Sequence, residues 1–432
     1  MRPLKIISVH NRYLQPGGED QVFESEARLL TKCGHQVTQV QEQTTYPDGV
    51  VKKLGVAVDC IWSRKWHREF RQMLQTSRPD VVHIHNFFPL ISPSVYYACH
   101  REGVPVVQTL HNYRLICASA ELYRDGKVCE ECLHHGLLRG VRYGCYQGSK
   151  LGTASLSLML GVHRRLRTWN NLVDCYIALT EFARNKMIEG GLPADRIRVK
   201  PNFVLPDPGP RETGSRETGS RETGSREAGS KQSGSKEGSA GYALFVGRLV
   251  KAKGVLSMMK AWEHMPRHIP LMIAGDGPCR EQLESELKGG KLPSITYLGR
   301  LSRLDTLATM KGARFLVFPS EWYEGFPVTI AESFACGIPV ICSRLGSMQE
   351  IVTDGLTGLH FEAGNADDMA KKVQWAWEHP EEINTMGRLA RREFETKYTA
   401  SRNIEMLEEI YEFAIASRNK TVDLAEPQVL QV

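Results

Sequence analysis

The first half of the chain alternates short apolar runs, rich in β-branched residues, with stretches whose apolar residues recur at helical spacing. Residues 21–34 have the helical pattern and lie between two apolar runs, 5–9 and 36–40. The same alternation returns further along, with predicted strands at 81–85, 104–108 and 175–179. Strands separated by helices in this way indicate βαβ units and a parallel sheet.

A low-complexity segment interrupts this pattern at residues 211–241, where a unit close to Arg-Glu-Thr-Gly-Ser repeats roughly every five residues. The segment has no large apolar side chain, so it cannot bury a core of its own. Its six basic and five acidic residues leave a net charge of +1, which makes it a poor electrostatic binding tail. We therefore predict a flexible linker, an expansion tolerated at the protein surface.

A second series of apolar runs follows the repeat and predicts strands at 242–246, 271–274, 295–298, 315–318 and 339–342. Two similar α/β halves predict two Rossmann-like domains that face each other across a cleft, with ligand at the carboxyl ends of the strands. Helical patterns then cover 381–397 and 399–418. The predicted organisation is a first domain (1–204), a linker (205–241), a second domain (242–380), C-terminal helices (381–418) and a disordered tail (419–432).

The composition is typical of a soluble globular protein: of 432 residues, 41% are hydrophobic and 24% are charged. This length allows two domains with sizeable cores. The net charge of +6 gives only weak support for anionic partners, and no nucleic-acid-binding motif is present. The N-terminus leads directly into a short strand, and no apolar run reaches the ~18 residues that a membrane span needs. We therefore expect a cytoplasmic protein.

The turn Glu-Gly-Phe-Pro at residues 324–327 separates a predicted strand from an apolar helix that runs from about Val328 to Ala335. N–H groups in the first turn of a helix lack intrahelical acceptors, so this turn suits a diphosphate. Glu324 precedes the helix and Glu332 lies inside it, roughly 8 Å further along. The two carboxylates could contact hydroxyl groups on opposite sides of the diphosphate of a nucleotide sugar. The spacing alone would more often come from two unrelated glutamates on a surface helix.

Two cations strengthen the first interpretation, because Arg248 comes just after a predicted strand and Lys253 lies at the start of the next helix. Fixed cations at the carboxyl end of a strand can neutralise a leaving diphosphate. Two further strands end in tight turns with glycine, Ala-Gly-Asp-Gly-Pro at 274–278 and Tyr-Leu-Gly-Arg-Leu at 297–301. The second half therefore has the features of a nucleotide-binding domain.

The first half supplies candidates on the other side of the cleft. Gly17 and Gly18 precede the first helix, where they would let the backbone approach a ligand closely, although an ordinary loop turn is the alternative. His111 follows a predicted strand, which places it at the edge of the cleft. His83 and His85 alternate with apolar residues along a strand, so we interpret them as packing residues, with His85 nearer the cleft.

In combination, the motifs F-V-G-R-L-x3-K-G, A-G-D-G-P, F-P-S-x3-E-G-F-P-x4-E and G-I-P-V-I resemble those of the retaining glycosyltransferases of family 4, or group 1. The resemblance covers nearly the whole chain outside the linker and the tail. It implies the two-domain GT-B fold, with C-terminal helices that cross back to the N-terminal domain. The implied activity is transfer of a sugar, of hexosyl type, from a nucleotide-diphosphate sugar to a hydroxyl acceptor in polysaccharide or glycolipid biosynthesis.

The resemblance also implies roles for individual residues. Arg248 and Lys253 would bind the donor diphosphate, and Glu324 and His111 would contact the transferred sugar. Glu332 would bind the nucleotide ribose, and Gly17 and Gly18 would face the diphosphate or the acceptor. The remaining implied donor contacts are the backbone of Gly325 and Phe326 beside the sugar, amides near Val328 and Thr329 at the phosphate, and Arg300 near the base.

The implied mechanism is front-face substitution with a retained anomeric configuration, in which the leaving phosphate helps to deprotonate the acceptor. The chain has no D-x-D triplet to hold a divalent ion on a diphosphate, so we expect a metal-independent reaction that needs no cofactor. A nucleotide-sugar epimerase and a catalytically degenerate GT-B scaffold are the alternatives. No motif identifies the donor sugar, its nucleotide or the acceptor, which could be a saccharide or a lipid-linked molecule.

Two further features lie in the first half. Cys117, Cys129, Cys132 and Cys145 have the spacing C-x11-C-x2-C-x12-C, which predicts a possible structural zinc site, although free thiols or a redox-labile pair remain open and His134 or His135 could compete as ligands. Residues 151–169 join an apolar stretch to three arginines. This segment could lie in an anionic membrane surface or form a core helix with a solvated end.

Overall fold

The N-terminal domain is built on a six-stranded parallel sheet. The computed structural model describes residues 2–13, 17–44, 50–211 and 241–423. Strands of this domain are β1 (Lys5–Arg12), β2 (Gln36–Gln43), β3 (Val81–Asn86), β4 (Val106–Leu110), the hairpin strands β5 (Tyr123–Arg124) and β6 (Lys127–Val128), β7 (Cys175–Ala178) and β8 (Ile197–Val199). The sheet has the order β2-β1-β3-β4-β7-β8, and β5 pairs only with β6.

Helices cover both faces of the sheet, so β3, β4 and β7 are buried along their whole length. They are α1 (Gly18–Lys32), α2 (Val50–Ile61), α3 (Arg64–Ser77), α4 (Ser94–Arg101), α5 (Glu131–His135), α6 (Leu138–Tyr143), α7 (Lys150–Arg165), α8 (Thr168–Asn171) and α9 (Glu181–Glu189), with a 3-10 turn at Ala194–Arg196. Side-chain caps begin several of them: the Thr180 hydroxyl, for example, accepts from the Ala183 N–H at the start of α9.

The C-terminal domain repeats the design with a second parallel sheet of order β11-β10-β9-β12-β13-β14. Its strands are β9 (Ala243–Val246), β10 (Leu271–Ala274), β11 (Ile295–Gly299), β12 (Phe315–Phe318), β13 (Val340–Ser343) and β14 (Gly358–Phe361). The order reverses between β9 and β12, and a reversal of this kind in a parallel sheet opens a crevice at the carboxyl ends of the two strands. The fold therefore confirms the prediction of two Rossmann-like domains.

The helices of this domain are α10 (Val255–Glu263), α11 (Arg280–Lys288), α12 (Arg303–Gly312), α13 (Val328–Ala335), α14 (Ser347–Ile351), α15 (Ala366–Glu378) and α16 (Pro380–Lys397), with a 3-10 turn at Lys251–Lys253. The last helix, α17 (Ala400–Asp423), crosses back to the N-terminal domain. There the Arg418 guanidinium donates to Asp174 at 3.0 Å, and the Tyr411 hydroxyl lies 2.9 Å from His83 Nδ1. The prediction of returning C-terminal helices is confirmed.

The residues that flank the repeat are described on both sides. Residues 212–240, most of the predicted linker, lie outside the described residues, but both flanks attach to the C-terminal domain. The Arg211 N–H donates to the Cys336 carbonyl and its guanidinium to the Ala313 carbonyl, while Gly241 lies against the side chain of Arg314. The described residues on either side of the repeat, Arg211 and Gly241, therefore both lie against the C-terminal domain.

At the C-terminus, α17 continues to Asp423, past the predicted start of the tail at 419, and 424–432 lie outside the described residues. The side chains of its last turn, from Lys420 on, are not described. Within the described part of the chain, no helix is both long enough and apolar enough to cross a bilayer.

Candidate active site

The reversal of strand order in the C-terminal sheet brings the loops after β9 and β12 together. Gly254, which follows the 3-10 turn after β9, has a φ of +69°, and a Cβ on it would lie 1.9 Å from the Pro319 carbonyl oxygen. Only glycine allows this close approach of the two loops. The contact places Lys253 beside the loop that carries Glu324.

Glu324 is the centre of the site. Its Oε1 accepts hydrogen bonds from Lys253 Nζ at 2.7 Å, from the Ser320 hydroxyl at 2.5 Å and from Trp322 Nε1 at 2.6 Å. Oε2 has no hydrogen-bond partner in the described part of the chain, although the residue is only 7% exposed. One oxygen is therefore fixed by protein donors, and the other can accept hydrogen bonds from a ligand.

The two domains meet at Glu324 and Gly325. A Cβ on Gly325 would lie 2.5 Å from the backbone oxygen of His111, so only glycine fits here. The Glu324 carbonyl accepts from the Ser347 hydroxyl at 2.8 Å and from the Tyr113 hydroxyl of the N-terminal domain at 3.4 Å. The predicted sugar-binding residues of both halves, Glu324 and His111, are thus brought to one place.

The helix after this turn has the predicted bounds, Val328–Ala335. Val328 and Thr329 are half-buried in its first turn, where backbone N–H groups have no intrahelical acceptors. The side chain of Phe326 is buried and packs on Tyr398, with ring centroids 5.6 Å apart. Phe326 can therefore offer a ligand its backbone but not its ring.

Glu332 lies further along α13, where its carboxylate is 3.4 Å from the guanidinium of Arg303. Burial raises the pKa of Glu332, and the nearby Arg303 opposes the shift. Arg300 and Arg248 are exposed at the ends of β11 and β9, and neither side chain has a hydrogen bond or an ion pair among the described residues. These two cations are available to a ligand, and Arg303 is a neighbour of Glu332 that the sequence reasoning missed.

The start of α1 lies close to the residues that follow β4, since Glu19 accepts from Asn112. Gly17 and Gly18 are exposed at the start of α1, and the Gly17 N–H donates to Asp20 at 2.7 Å. Burial raises the pKa of Asp20, but the hydrogen bonds from His10 and from Gly17 outweigh it and lower the pKa. The predicted glycine pair is therefore held by a carboxylate of its own helix.

Glu19, next to this glycine pair, is a polar residue that the sequence reasoning did not identify. Its carboxylate accepts from the side-chain amides of Asn86 and Asn112, each at 3.3 Å. Burial and the neighbouring Asp20 raise the pKa of Glu19 to about 8. One signal for Glu19 was present in the sequence, because it directly follows the glycine pair after a strand. Loops after parallel strands meet at one edge of the sheet, so a carboxylate in such a loop is a candidate site residue.

The four cysteines lie in one region, around the β5–β6 hairpin and the helices that follow it. The thiols of Cys117 and Cys132 are hydrogen-bonded to each other. Burial raises the pKa of Cys145, and the nearby Cys117 and Cys129 raise it further. A tetrahedral thiolate site needs sulfurs roughly 4 Å apart. Among the described residues, the two groups with three ligand atoms within 4.8 Å of one another contain no cysteine. The sulfurs as placed do not fit a closed zinc site, and zinc stays a prediction that metal analysis can test.

Comparisons with known proteins agree with this arrangement. The family described as glycosyl transferases group 1 matches residues 226–393, and the glycosyl transferase 4-like domain matches residues 17–202. An uncharacterized glycosyltransferase of Methanocaldococcus jannaschii is 33% identical over 176 residues, which are 41% of this chain and 49% of the relative. The O-antigen chain mannosyltransferase B of Escherichia coli is 30% identical over 139 residues, 31% of this chain and 36% of the relative.

These alignments show that the chain spans about half or less of the length of the curated relatives it matches. A solved structure extends the likeness of the fold: Anabaena Alr3699/HepE in complex with UDP-glucose has a TM-score of 0.63 and 14% identity, over 95% of this chain and 100% of that one. The two family matches lie on the two Rossmann-like domains and together cover most of the chain. The chain belongs to the group 1 glycosyltransferases and has the GT-B fold.

Proposed function

We propose that the protein transfers a sugar from a nucleotide-diphosphate sugar to a hydroxyl group of an acceptor, with retention of the anomeric configuration. The observation that carries the proposal is the position of Glu324. Its fixed carboxylate lies between the cation Lys253 and the N-terminus of α13, where the loop touches the backbone of His111. A sugar diphosphate needs this combination, because its hydroxyls are donors and its diphosphate is an anion.

The leaving diphosphate would be stabilised by protein charges. Lys253 lies at the reversal of strand order, Arg248 is unpaired among the described residues, and the first turn of α13 offers the amides of Val328 and Thr329. Cations and helix N-termini at a developing negative charge supply electrostatic stabilisation without a metal ion. The reaction proposed here is therefore metal-independent.

In the proposed step, the bond between the anomeric carbon and the diphosphate oxygen breaks while the acceptor oxygen bonds to the same face of the sugar. The leaving diphosphate takes the electron pair of the broken bond and accepts the proton of the acceptor hydroxyl. In this step Glu324 accepts hydrogen bonds from the sugar through its free Oε2, while three donors hold its Oε1 in place. Glu332 would bind the ribose.

The names of the comparison proteins indicate the substrates to test first. One structural neighbour holds UDP-glucose, and one relative acts on an O-antigen chain. We propose a nucleotide-sugar donor and a saccharide or lipid-linked acceptor, as in polysaccharide or glycolipid biosynthesis. A panel of UDP-, GDP- and ADP-sugars should contain one that raises the Tm, since a ligand at a hundredfold excess over its Kd stabilises by about 2.7 kcal/mol.

The donor found in this panel is then incubated with candidate acceptors, and the anomeric configuration of the product is read by proton NMR. Retention of the donor configuration supports the proposal. An inverted product, or no stabilisation by any nucleotide sugar together with no transfer, would overturn it. Conversion of the donor sugar to its epimer without an acceptor would favour the epimerase alternative.

A second surface suits an anionic membrane, which would place the enzyme at the cytoplasmic face beside lipid-linked acceptors. Residues 138–167 contain six arginines and lysines and no acidic residue. Large apolar side chains are exposed among them: Leu138 is 81% exposed, Leu151 85% and Leu158 56%. Leu151, Leu158 and the exposed Arg165 share one face of α7 at seven-residue spacing, while Leu156 and Leu160 are buried beneath it. Such a face can insert leucines among lipids whose headgroups attract the arginines.

Vesicle flotation tests this surface. The protein should float with vesicles of phosphatidylcholine and phosphatidylglycerol and not with phosphatidylcholine alone. The double variant Leu151→Ser/Leu158→Ser should bind at least about tenfold more weakly, because burial of one leucine contributes about 1.5–3 kcal/mol. Leu356→Ser, which changes a leucine that is 54% exposed in the other domain, is the control and should float like the wild type. A wild-type protein that ignores anionic vesicles would contradict the proposal.

A further inference from the structure

A continuous row of buried polar side chains lies behind His111 in the N-terminal domain. It begins at Lys200, which follows β8, continues through Glu26 of α1 and His85 of β3, and ends at His111 after β4. Lys200 is 1% exposed, Glu26 2% and His85 4%, whereas His111 is only partly buried. Buried polar groups are costly unless they are paired, so this row needs an explanation.

Each member of the row contacts the next. Lys200 Nζ donates to Glu26 Oε1 at 2.6 Å, and Glu26 Oε2 lies 3.6 Å from His85 Nε2. His85 Nδ1 and His111 Nε2 are 3.0 Å apart, and the two rings are stacked. Glu26 Oε2 is buried without a hydrogen-bond partner, and His85 Nε2 is the ring nitrogen that faces it. His111 Nδ1 has no hydrogen-bond partner in the described part of the chain.

Both imidazoles are neutral at physiological pH. Burial holds the pKa of His85 and that of His111 well below the ordinary value for histidine. A neutral imidazole carries one N–H and one unprotonated nitrogen, so in a pair of neutral rings one donates and the other accepts. Which ring donates and which accepts depends on the groups at the other end of the row.

The carboxylate of Glu26 determines which nitrogen of His85 carries the proton. A carboxylate in an ion pair only accepts hydrogen bonds, and Glu26 is ion-paired with Lys200. The 3.6 Å between Glu26 Oε2 and His85 Nε2 is longer than a hydrogen bond, but an unprotonated Nε2 would turn its lone pair towards the carboxylate oxygen. His85 therefore presents an N–H from Nε2, which leaves its Nδ1 unprotonated. An unprotonated His85 Nδ1 requires a donor, and the ring nitrogen within reach is His111 Nε2.

We infer that Glu26 and His85 are positioning residues that fix His111 in the tautomer with Nε2 protonated, which leaves His111 Nδ1 as a hydrogen-bond acceptor in the cleft. The tautomer follows from the buried row alone. Its use rests on the proposed function: an acceptor nitrogen can bind a hydroxyl of the transferred sugar but cannot donate to it. His111 would then complement Glu324, whose free oxygen is also an acceptor.

A metal ion at the same place fits less well. Glu26, His83 and His85 do bring three ligand atoms within 4.8 Å of one another. Both nitrogens of His83, however, are occupied by the hydroxyls of Tyr411 and Thr109, at 2.9 and 2.8 Å. The Lys200 ammonium on Glu26 would also repel a cation. The charges and hydrogen bonds around these residues therefore favour a polar network over a metal site.

The test is the nitrogen NMR spectrum of the full-length protein with ¹⁵N-labelled histidine, in which protonated and unprotonated ring nitrogens have well separated shifts. The His111 signals are assigned as those lost in His111→Gln. In the wild-type protein at neutral pH we expect His111 Nε2 to be protonated and Nδ1 unprotonated. A protonated His111 Nδ1 would overturn the inference, and this result needs no variant of the network and no substrate.

Two variants separate positioning from general stability. His85→Phe removes the acceptor of the His111 N–H, so His111 should become a mixture of tautomers, and kcat/KM should fall about tenfold, as for the loss of one hydrogen bond. His163→Phe replaces an equally buried histidine of the same domain, which bonds Thr168 and the Ile61 carbonyl, and should leave the His111 spectrum unchanged. An unchanged His111 tautomer in folded His85→Phe would contradict the inference. The expected tautomer in an inactive wild-type protein would contradict only the proposed function.

Discussion

At the scale of residues, the carboxylate of Glu324 is arranged for binding and not for acid–base chemistry. Three donors hold one of its oxygens, and one of them is the cation Lys253. The sequence identified Glu324 and Lys253 as site residues, whereas Ser320 was only a letter of the motif around Glu324 and Trp322 was not singled out. Their hydrogen bonds to Glu324 depend on how the loop folds back, which the motif does not show.

The first prediction concerns this carboxylate. Glu324→Gln keeps the size of the side chain but replaces charge-assisted hydrogen bonds, each of about 1.5–3 kcal/mol, with neutral ones. We expect kcat/KM for sugar transfer to fall by about 100-fold, with a Tm close to that of the wild type.

The matched control is Glu321→Gln, three residues earlier in the same loop, where the carboxylate bonds the Ser257 hydroxyl instead of Lys253. It should retain wild-type turnover. Equal activity of Glu324→Gln and the wild-type protein in a coupled nucleotide-release assay would remove Glu324 from the site.

At the scale of elements, the apolar pattern predicted the central strands and α13 well, because these elements are buried and their pattern reflects that burial directly. β10, β12 and α13 have the predicted bounds. The hairpin β5–β6, of two residues per strand, and the short strand β8 were missed. Strands of two or three residues are too short to show an alternation.

The last helix, α17, supplies the second prediction. Arg418 is 4% exposed, and its guanidinium bonds both Asp174 and His100 of the N-terminal domain. Arg418→Met would leave Asp174 buried without its cation, which typically costs about 3–5 kcal/mol. We expect the urea-unfolding midpoint to decrease accordingly.

Arg402→Met is the control for this helix, because Arg402 pairs with Glu405 at the exposed surface, where an ion pair contributes at most about 1 kcal/mol. Its unfolding midpoint should stay near that of the wild type. If Arg418→Met unfolds no more easily than Arg402→Met, α17 does not hold the N-terminal domain through this residue.

At the scale of the whole molecule, the two domains and the returning helix form a connected structure. One core cluster includes Val81 and Ile177 of the N-terminal domain, Phe334 of the C-terminal domain and Tyr411 of α17. The Glu350 carboxylate of α14 also accepts from the Phe182 N–H at the start of α9, at 2.8 Å. The domains are therefore in contact both through this shared core cluster and between α14 and α9.

The repeat gives the third prediction. Its flanking residues Arg211 and Gly241 lie against neighbouring residues, Ala313 and Arg314. A short chain can therefore close this gap. Replacement of residues 212–240 by about ten glycines and serines should leave activity unchanged and stabilise the protein by ~1 kcal/mol, since a shorter loop costs less closure entropy.

Scrambling the order of residues 212–240 at constant composition and length is the control, and it should alter neither the Tm nor turnover. A loss of activity in the shortened protein, with the scrambled one still active, would show that the length of the segment matters for function.

The sequence by itself determined the two α/β domains, the family and most of the candidate site, because buried strands, glycine turns and charged residues at strand ends have patterns that are local in the chain. Tertiary structure alone decided how these parts meet: Glu324 with Trp322, Gly325 with His111, and both flanks of the repeat with the C-terminal domain. It also placed Glu26 and His85 behind His111, from three distant segments. Such contacts depend on the order and twist of the sheets, and no local pattern of residues records them.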